Sequence, residues 1–97
     1  MKDVVRQKVA ETFSVFADET RLKIFEALEK RELCVFEICE KTGVSQSAVS
    51  HQMGILRKMD LVRSQKRGQK VYYRIADGHI LCIVRDCLEH VLEKKRR

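Results

Sequence analysis

Residues 43–53 read Gly43-Val44-Ser45-Gln46-Ser47-Ala48-Val49-Ser50-His51-Gln52-Met53. Glycine supplies the left-handed residue that ends one helix, and serine two positions on is a good N-cap for the next. From Ser45 the apolar residues Val49, Met53 and Leu56 recur at helical spacing, which predicts a helix over about 46–59 with one buried stripe. Just upstream, Val35 and Ile38 point inward from a short helix over about 34–41. A short helix, a glycine turn and a capped second helix make a helix-turn-helix layout.

Working outward, Val5, Val9, Phe13 and Phe16 place a first helix over about 3–16. Asp18 caps a second helix whose stripe is Ile24, Phe25 and Leu28, with Leu22 ahead of it. Beyond residue 60 the period changes to two. Leu61–Ser64 and Val71–Ile75 read as strands, joined by a hairpin over Lys66-Arg67-Gly68-Gln69-Lys70. Asp77 caps a last helix over about 78–94, and the cations Lys94-Lys95-Arg96-Arg97 suit its C-terminal dipole. The expected architecture is mainly α with a small β-hairpin, in the order α-α-α-α-β-β-α. Without repeats or linkers, residues 1–97 are expected to form a single domain.

Composition narrows the function. Ninety-seven residues, 44% hydrophobic and 35% charged, describe a small globular chain. No apolar run approaches the roughly 20 residues of a bilayer span. The start, Met1-Lys2-Asp3-Val4-Val5-Arg6, has no apolar core of a signal peptide. A soluble, cytoplasmic protein with no membrane partner is therefore expected. Basic residues outnumber acidic ones by 20 to 14. Much of the surplus falls in the hairpin region, where Arg57, Lys58, Arg63, Lys66, Arg67, Lys70 and Arg74 face Asp60 alone. A charge run in isolation is usually a solvated face. Directly after a helix-turn-helix, it suits the phosphates beside the groove that the helix enters. Gln46, Ser47, Ser50 and His51, short and polar at the start of that helix, can approach base edges. With Arg67 and Lys70 they are the candidate DNA contacts. The histidines stand at 51, 79 and 90 with no G-x-S-x-G, phosphate loop or H-E-x-x-H, so no enzyme and no catalytic residue is expected.

The last helix carries Asp77, His79, His90 and Glu93. Eleven helical residues turn through about 1100°, so the two histidines share a face within roughly 20°. They also rise about 16 Å, whereas zinc ligand atoms lie about 2 Å from the metal. One helix cannot close such a site, but two antiparallel copies can. Asp77 and His79 of one chain would meet His90 and Glu93 of the other, with the two-fold axis near Val84–Arg85. Two nitrogens and two carboxylate oxygens suit tetrahedral zinc or cobalt. Spacing alone leaves the plainer reading open, in which Asp77 is only an N-cap and the histidines are surface residues. The cysteines form two C-x4-C pairs, Cys34/Cys39 and Cys82/Cys87, which a helix would hold about 140° apart. Neither pair chelates alone, and reduced thiols, mostly buried, are expected.

The segments Phe16–Leu22, Glu32–Val35, Ser45–Gln52 and Gly68–Tyr73 resemble the ArsR–SmtB repressors over about residues 12–93. The resemblance implies a homodimeric winged helix, paired through its first and last helices, that binds operator DNA and releases it when a ligand binds. The D-x-H and H-x-x-E elements match the C-terminal-helix site of the zinc-sensing branch at all four positions. The implied protein is a zinc-responsive repressor of a near-palindromic operator, with Zn(2+) as regulatory ligand and Co(2+) as its substitute. In the arsenic- and cadmium-sensing branches the third helix carries C-x-C, and here Phe36 takes the middle cysteine's place. Asp60 stands where many members have glycine. Two alternatives remain beside the zinc reading. One is a thiol-based sensor of arsenite, redox state or persulfide using Cys34, Cys39, Cys82 and Cys87; the other is a ligand-independent DNA-binding protein.

Overall fold

The computed structural model describes residues 1–95; Arg96 and Arg97 of the basic tail lie outside the described residues. The elements run α1 (Asp3–Phe16), α2 (Glu19–Leu28), β1 (Leu33–Cys34), α3 (Val35–Thr42), α4 (Gln46–Lys58), β2 (Val62–Arg67), β3 (Lys70–Ile75) and α5 (Gly78–Lys95). Helix starts follow the caps read from the sequence. Asp18 accepts the Arg21 N–H at 3.0 Å, Ser45 that of Ala48 at 3.3 Å, and Asp77 that of Ile80 at 3.1 Å. Each bond satisfies an N–H that the first helical turn leaves without a partner. Gly43 ends α3 at φ 73°, in the left-handed region that glycine enters without steric cost.

Two features of the sheet differ from the sequence reading. Leu33 and Cys34 form the extra strand β1, antiparallel to β3, with Leu33 opposite Tyr73 and Cys34 opposite Tyr72. The sheet order is β1-β3-β2. A two-residue strand is too short to show a period of two, so α3 starts one residue later than read. The hairpin is also tighter. Arg67 pairs with Lys70, leaving Gly68-Gln69 as a two-residue turn with Gly68 at φ 63°. Beyond Val62 every residue of β2 is exposed, so no apolar alternation marked its length.

The core is built around α4. Val49, Met53 and Leu56 are fully shielded and pack with Ile24, Phe25, Leu28, Leu33, Ile38, Leu61 and Val62. Burying a side chain of this size contributes about 1.5–3 kcal/mol. The outer helices add less to this core. From α1, Val15 is buried and Phe16 lies against Phe25 with ring centroids 5.0 Å apart. From α5, Ile80 and Val84 pack on the core while only partly buried.

The end of α4 explains an oddity of the sequence. Asp60 sits at φ 58°, with its N–H on the Arg57 carbonyl and the Leu61 N–H on the Leu56 carbonyl. This pair of bonds is a Schellman motif, and the accompanying contact is between the buried Leu56 and Leu61. The motif needs a left-handed residue, which is why glycine serves there. Asp60→Gly is expected to raise stability by up to about 1 kcal/mol, read by urea denaturation. Unchanged or lower stability would show that Asp60 carries no backbone strain.

At the start of α3, the Glu37 carboxylate accepts the Cys34 backbone N–H at 3.1 Å. That bond chiefly holds the Glu37 carboxyl below its ordinary pKa, helped by the Cys34 thiol and the charges of Arg31 and Lys70. A depressed carboxylate stabilises the fold above its ordinary titration range and loses that contribution as pH falls through the lowered value. Glu37→Gln is therefore expected to lower the melting temperature at pH 7, with the gap from wild type closing in acid. A gap independent of pH would contradict this cap.

Candidate DNA-contact and metal-ligand surfaces

The stripe that buries one side of α4 leaves the other side to solvent. Gln46, Ser47, Ser50 and His51 are all exposed on its first turns, so the structure brings these four together on one face. Behind them, the half-buried Gln52 accepts a hydrogen bond at 2.8 Å from Nε of Arg21 on α2. This tie between α2 and α4 was not anticipated, since no periodic signal links residues 31 positions apart.

The wing carries Arg67 and Lys70 as register partners beside the turn, both exposed. Arg67 is already engaged within the chain. Its guanidinium forms an ion pair with Glu32, donates to the Gln65 side-chain oxygen at 3.2 Å and lies 5.2 Å from the centre of the Tyr72 ring. Glu32 was missed as a site residue because it precedes the sheet by one position and reaches the wing only through β1–β3 pairing. A phosphate that meets Arg67 must compete with this carboxylate.

On α5 the ligand candidates separate into two ends of one helix. Asp77 Oδ1, which caps the helix, lies 3.6 Å from His79 Nδ1. The His79 side chain is 95% exposed, and His90 and Glu93 are exposed toward the other end. Among the described residues no three of His, Cys, Asp and Glu converge within the chain. The donor set still suits zinc: two imidazoles and two carboxylates, none of them spent in the core. Asp77 has a second oxygen beyond the one at the cap.

The thiols divide differently from expectation. Cys34 is buried and Cys39 half-buried, as small core residues. Cys82 and Cys87 are exposed instead, because α5 has only one side on the core. Cys87 lines an apolar groove between α1, α2 and α5, with Phe13, Leu22, Leu88 and Val91. Glu29, at the end of α2, and Arg85, midway along α5, also line it and are joined by an Nε–Oε1 contact of 3.2 Å. The outer apolar residues are strongly exposed, with Phe13 at 57% and Leu88 at 53%.

Among the described residues no helix is long and apolar enough to cross a membrane. Residues 18–64, from the cap of α2 into β2, match the family described as bacterial regulatory protein, arsR family. Over 87 residues the chain is 44% identical to a transcriptional repressor SmtB homolog of Synechocystis, covering 90% of this chain and 66% of that one. It thus spans about two thirds of that repressor's length. It is 31% identical to the cadmium resistance transcriptional regulatory protein CadC homolog of Staphylococcus aureus, over 95% of this chain and 79% of that one. Among solved structures, the AntR antimony-specific transcriptional repressor superposes with a TM-score of 0.88 at 28% identity, covering 99% of this chain and 87% of the other. The homodimeric winged helix-turn-helix DNA-binding domain Mb0332 of Mycobacterium bovis gives 0.81 at 25% identity, covering 99% and 90%. With α3 and α4 as the helix-turn-helix and β2–β3 as the wing, the chain belongs to the ArsR family of bacterial regulatory proteins, which are regulators and not enzymes.

Proposed function

We propose that this chain is a zinc-responsive repressor that binds operator DNA as a homodimer and releases it when metal binds. The observation that carries the zinc reading is that each end of α5 holds one imidazole and one carboxylate, Asp77 with His79 and His90 with Glu93, with Leu81, Ile83 and Leu88 along the helix between them. Phe13 on α1 and Leu88, Val91 and Leu92 on α5 are exposed in the single chain. Apolar surface of this kind marks an interaction site, and the homodimeric relative supports a second copy as its occupant. Antiparallel pairing of α5 with its mate sets Asp77 and His79 of one protomer against His90 and Glu93 of its partner. The two-fold axis makes two such sites.

In the metal-free dimer, the two α4 helices enter successive major grooves about 34 Å apart on a near-palindromic site. Gln46, Ser47, Ser50 and His51 face base edges there, while Arg67 and Lys70 meet phosphates. Bound zinc supplies a rigid four-ligand crosslink and no redox chemistry. With both ends of α5 tied to the partner, the dimer favours a spacing of α4 helices that no longer fits DNA. The coupling is reciprocal, so DNA weakens zinc binding by the same factor. A regulator of this kind works in the cytoplasm, where its DNA is.

Relatives named for cadmium resistance and antimony specificity keep a thiol reading in view, but here only Cys82 and Cys87 are exposed. The test begins with a duplex selected from a random pool by metal-free protein. Zinc is expected to weaken binding to it by about 5- to 150-fold in fluorescence anisotropy. His90→Ala is expected to bind the duplex as wild type does without metal and to hold it when zinc is added. Release of DNA by zinc from His90→Ala refutes the site. Intense sulfur-to-metal charge transfer in the cobalt(II) protein would move the ligand to the cysteines.

A further inference from the structure

Two side-chain bonds tie opposite ends of α2 to the two helices that the proposed switch must connect. At its C-terminal end Glu29 accepts from Nε of Arg85 on α5 at 3.2 Å. Near its N-terminal end Arg21 donates through Nε to Gln52 on α4 at 2.8 Å. We propose that α2 is the link that carries the metal state of α5 to the DNA-reading face of α4, with Glu29 and Arg21 as its positioning residues. This rests on the zinc-repressor reading and names its internal route.

The placement of both bonds argues for it. Arg85 stands between the two ligand pairs, six residues from His79 and five from His90. It lies where the two-fold axis would cross, so a change in how α5 sits against its own protomer reaches Glu29 whichever end is pulled. Between Glu29 and Arg21 α2 is a rigid body, held by Ile24, Phe25 and Leu28, which are 0–3% exposed. Close-packed interiors transmit displacement instead of absorbing it. The eight residues from Arg21 to Glu29 span about 12 Å of helix. At the far end, Gln52 directly follows His51 and shares the turn that begins at Val49 and Ser50, so a shift of Arg21 re-aims the face read by DNA. A competing route runs from α5 through β3 and the wing, and it does not involve Glu29 or Arg21.

The test measures the factor by which zinc weakens binding to the selected duplex, in wild type, Glu29→Gln, Arg21→Met and the charge-swapped double variant Glu29→Arg/Arg85→Glu. Zinc affinity without DNA and DNA affinity without zinc are measured separately for each. Glu29→Gln and Arg21→Met are expected to keep both affinities within about threefold of wild type. The zinc effect on DNA is expected to fall at least about threefold in each, within the range such coupling mutations span. The charge swap restores it. An undiminished zinc effect in both single variants overturns this proposal alone. The same holds if the zinc effect falls only in step with lost zinc or DNA affinity. A wild-type protein whose DNA binding ignores zinc overturns the zinc-repressor reading and this route with it.

Discussion

Everything outward of the core depends on how firmly one face of α4 is held. Val49, Met53 and Leu56 have no solvent exposure, and they are surrounded by residues of α2, α3 and the strands. A helix packed along one stripe turns only together with the elements packed on it, so its opposite face keeps one direction relative to α2 and the core. That face carries Gln46, Ser47, Ser50 and His51, and the wing follows the C-terminal end of α4 through the buried Leu61 and Val62. In the proposed complex, rigidity at that face would be a matter of packing, while affinity for phosphate would fall to the cations of the hairpin.

The same economy of core explains the outer helices. A chain this short buries a limited share of its apolar surface, and α2–α4 with the sheet take most of it. What remains on α1 and α5 lies open in the single chain. Val4, Val5, Val9 and Phe13 on one helix, and Leu88, Val91 and Leu92 on the other, would be covered by a second copy. In the proposed dimer that apolar surface would lie beside the ligand pair His90 and Glu93, since Leu88 precedes it and Val91 and Leu92 stand between its members. Dimerisation and metal binding then use neighbouring strips of one helix, which is how a small ligand would alter the geometry of the whole assembly. Glu29–Arg85 and Arg21–Gln52 would give that change a path inward.

Much of the fold was legible because its signals are local. Asp18, Ser45 and Asp77 cap the helices they were read to cap, and the stripe of α4 is buried at each residue named. The misses lie where the local signal is weak or the partner is distant. Strand β1 has two residues and owes its existence to β3, nearly forty positions on. The outer half of β2 is polar on both sides, so its register came only from the pairing of Arg67 with Lys70. The thiols were expected to be mostly buried, but Cys82 and Cys87 are exposed, since the residues of α5 that pack on the core are Ile80 and Val84. Glu32 and Arg21, whose partners lie on other elements, left no mark in spacing at all. For the ligand set, spacing gives a shared face and a separation too large for one chain, and among the described residues no three of His, Cys, Asp and Glu converge.

Closure of the metal site between two chains is tested most directly by mixing His79→Ala protein with His90→Ala protein and titrating with cobalt(II). Each variant alone lacks one ligand in both of its sites. After subunit exchange about half the dimers combine the two variants, and each of these keeps one complete set of Asp77 and His79 from one chain with His90 and Glu93 from the other. Neither variant alone is expected to show intense tetrahedral d–d bands, whereas the mixture shows them at about one metal per four chains. A mixture as silent as its components would contradict a site shared across the dimer.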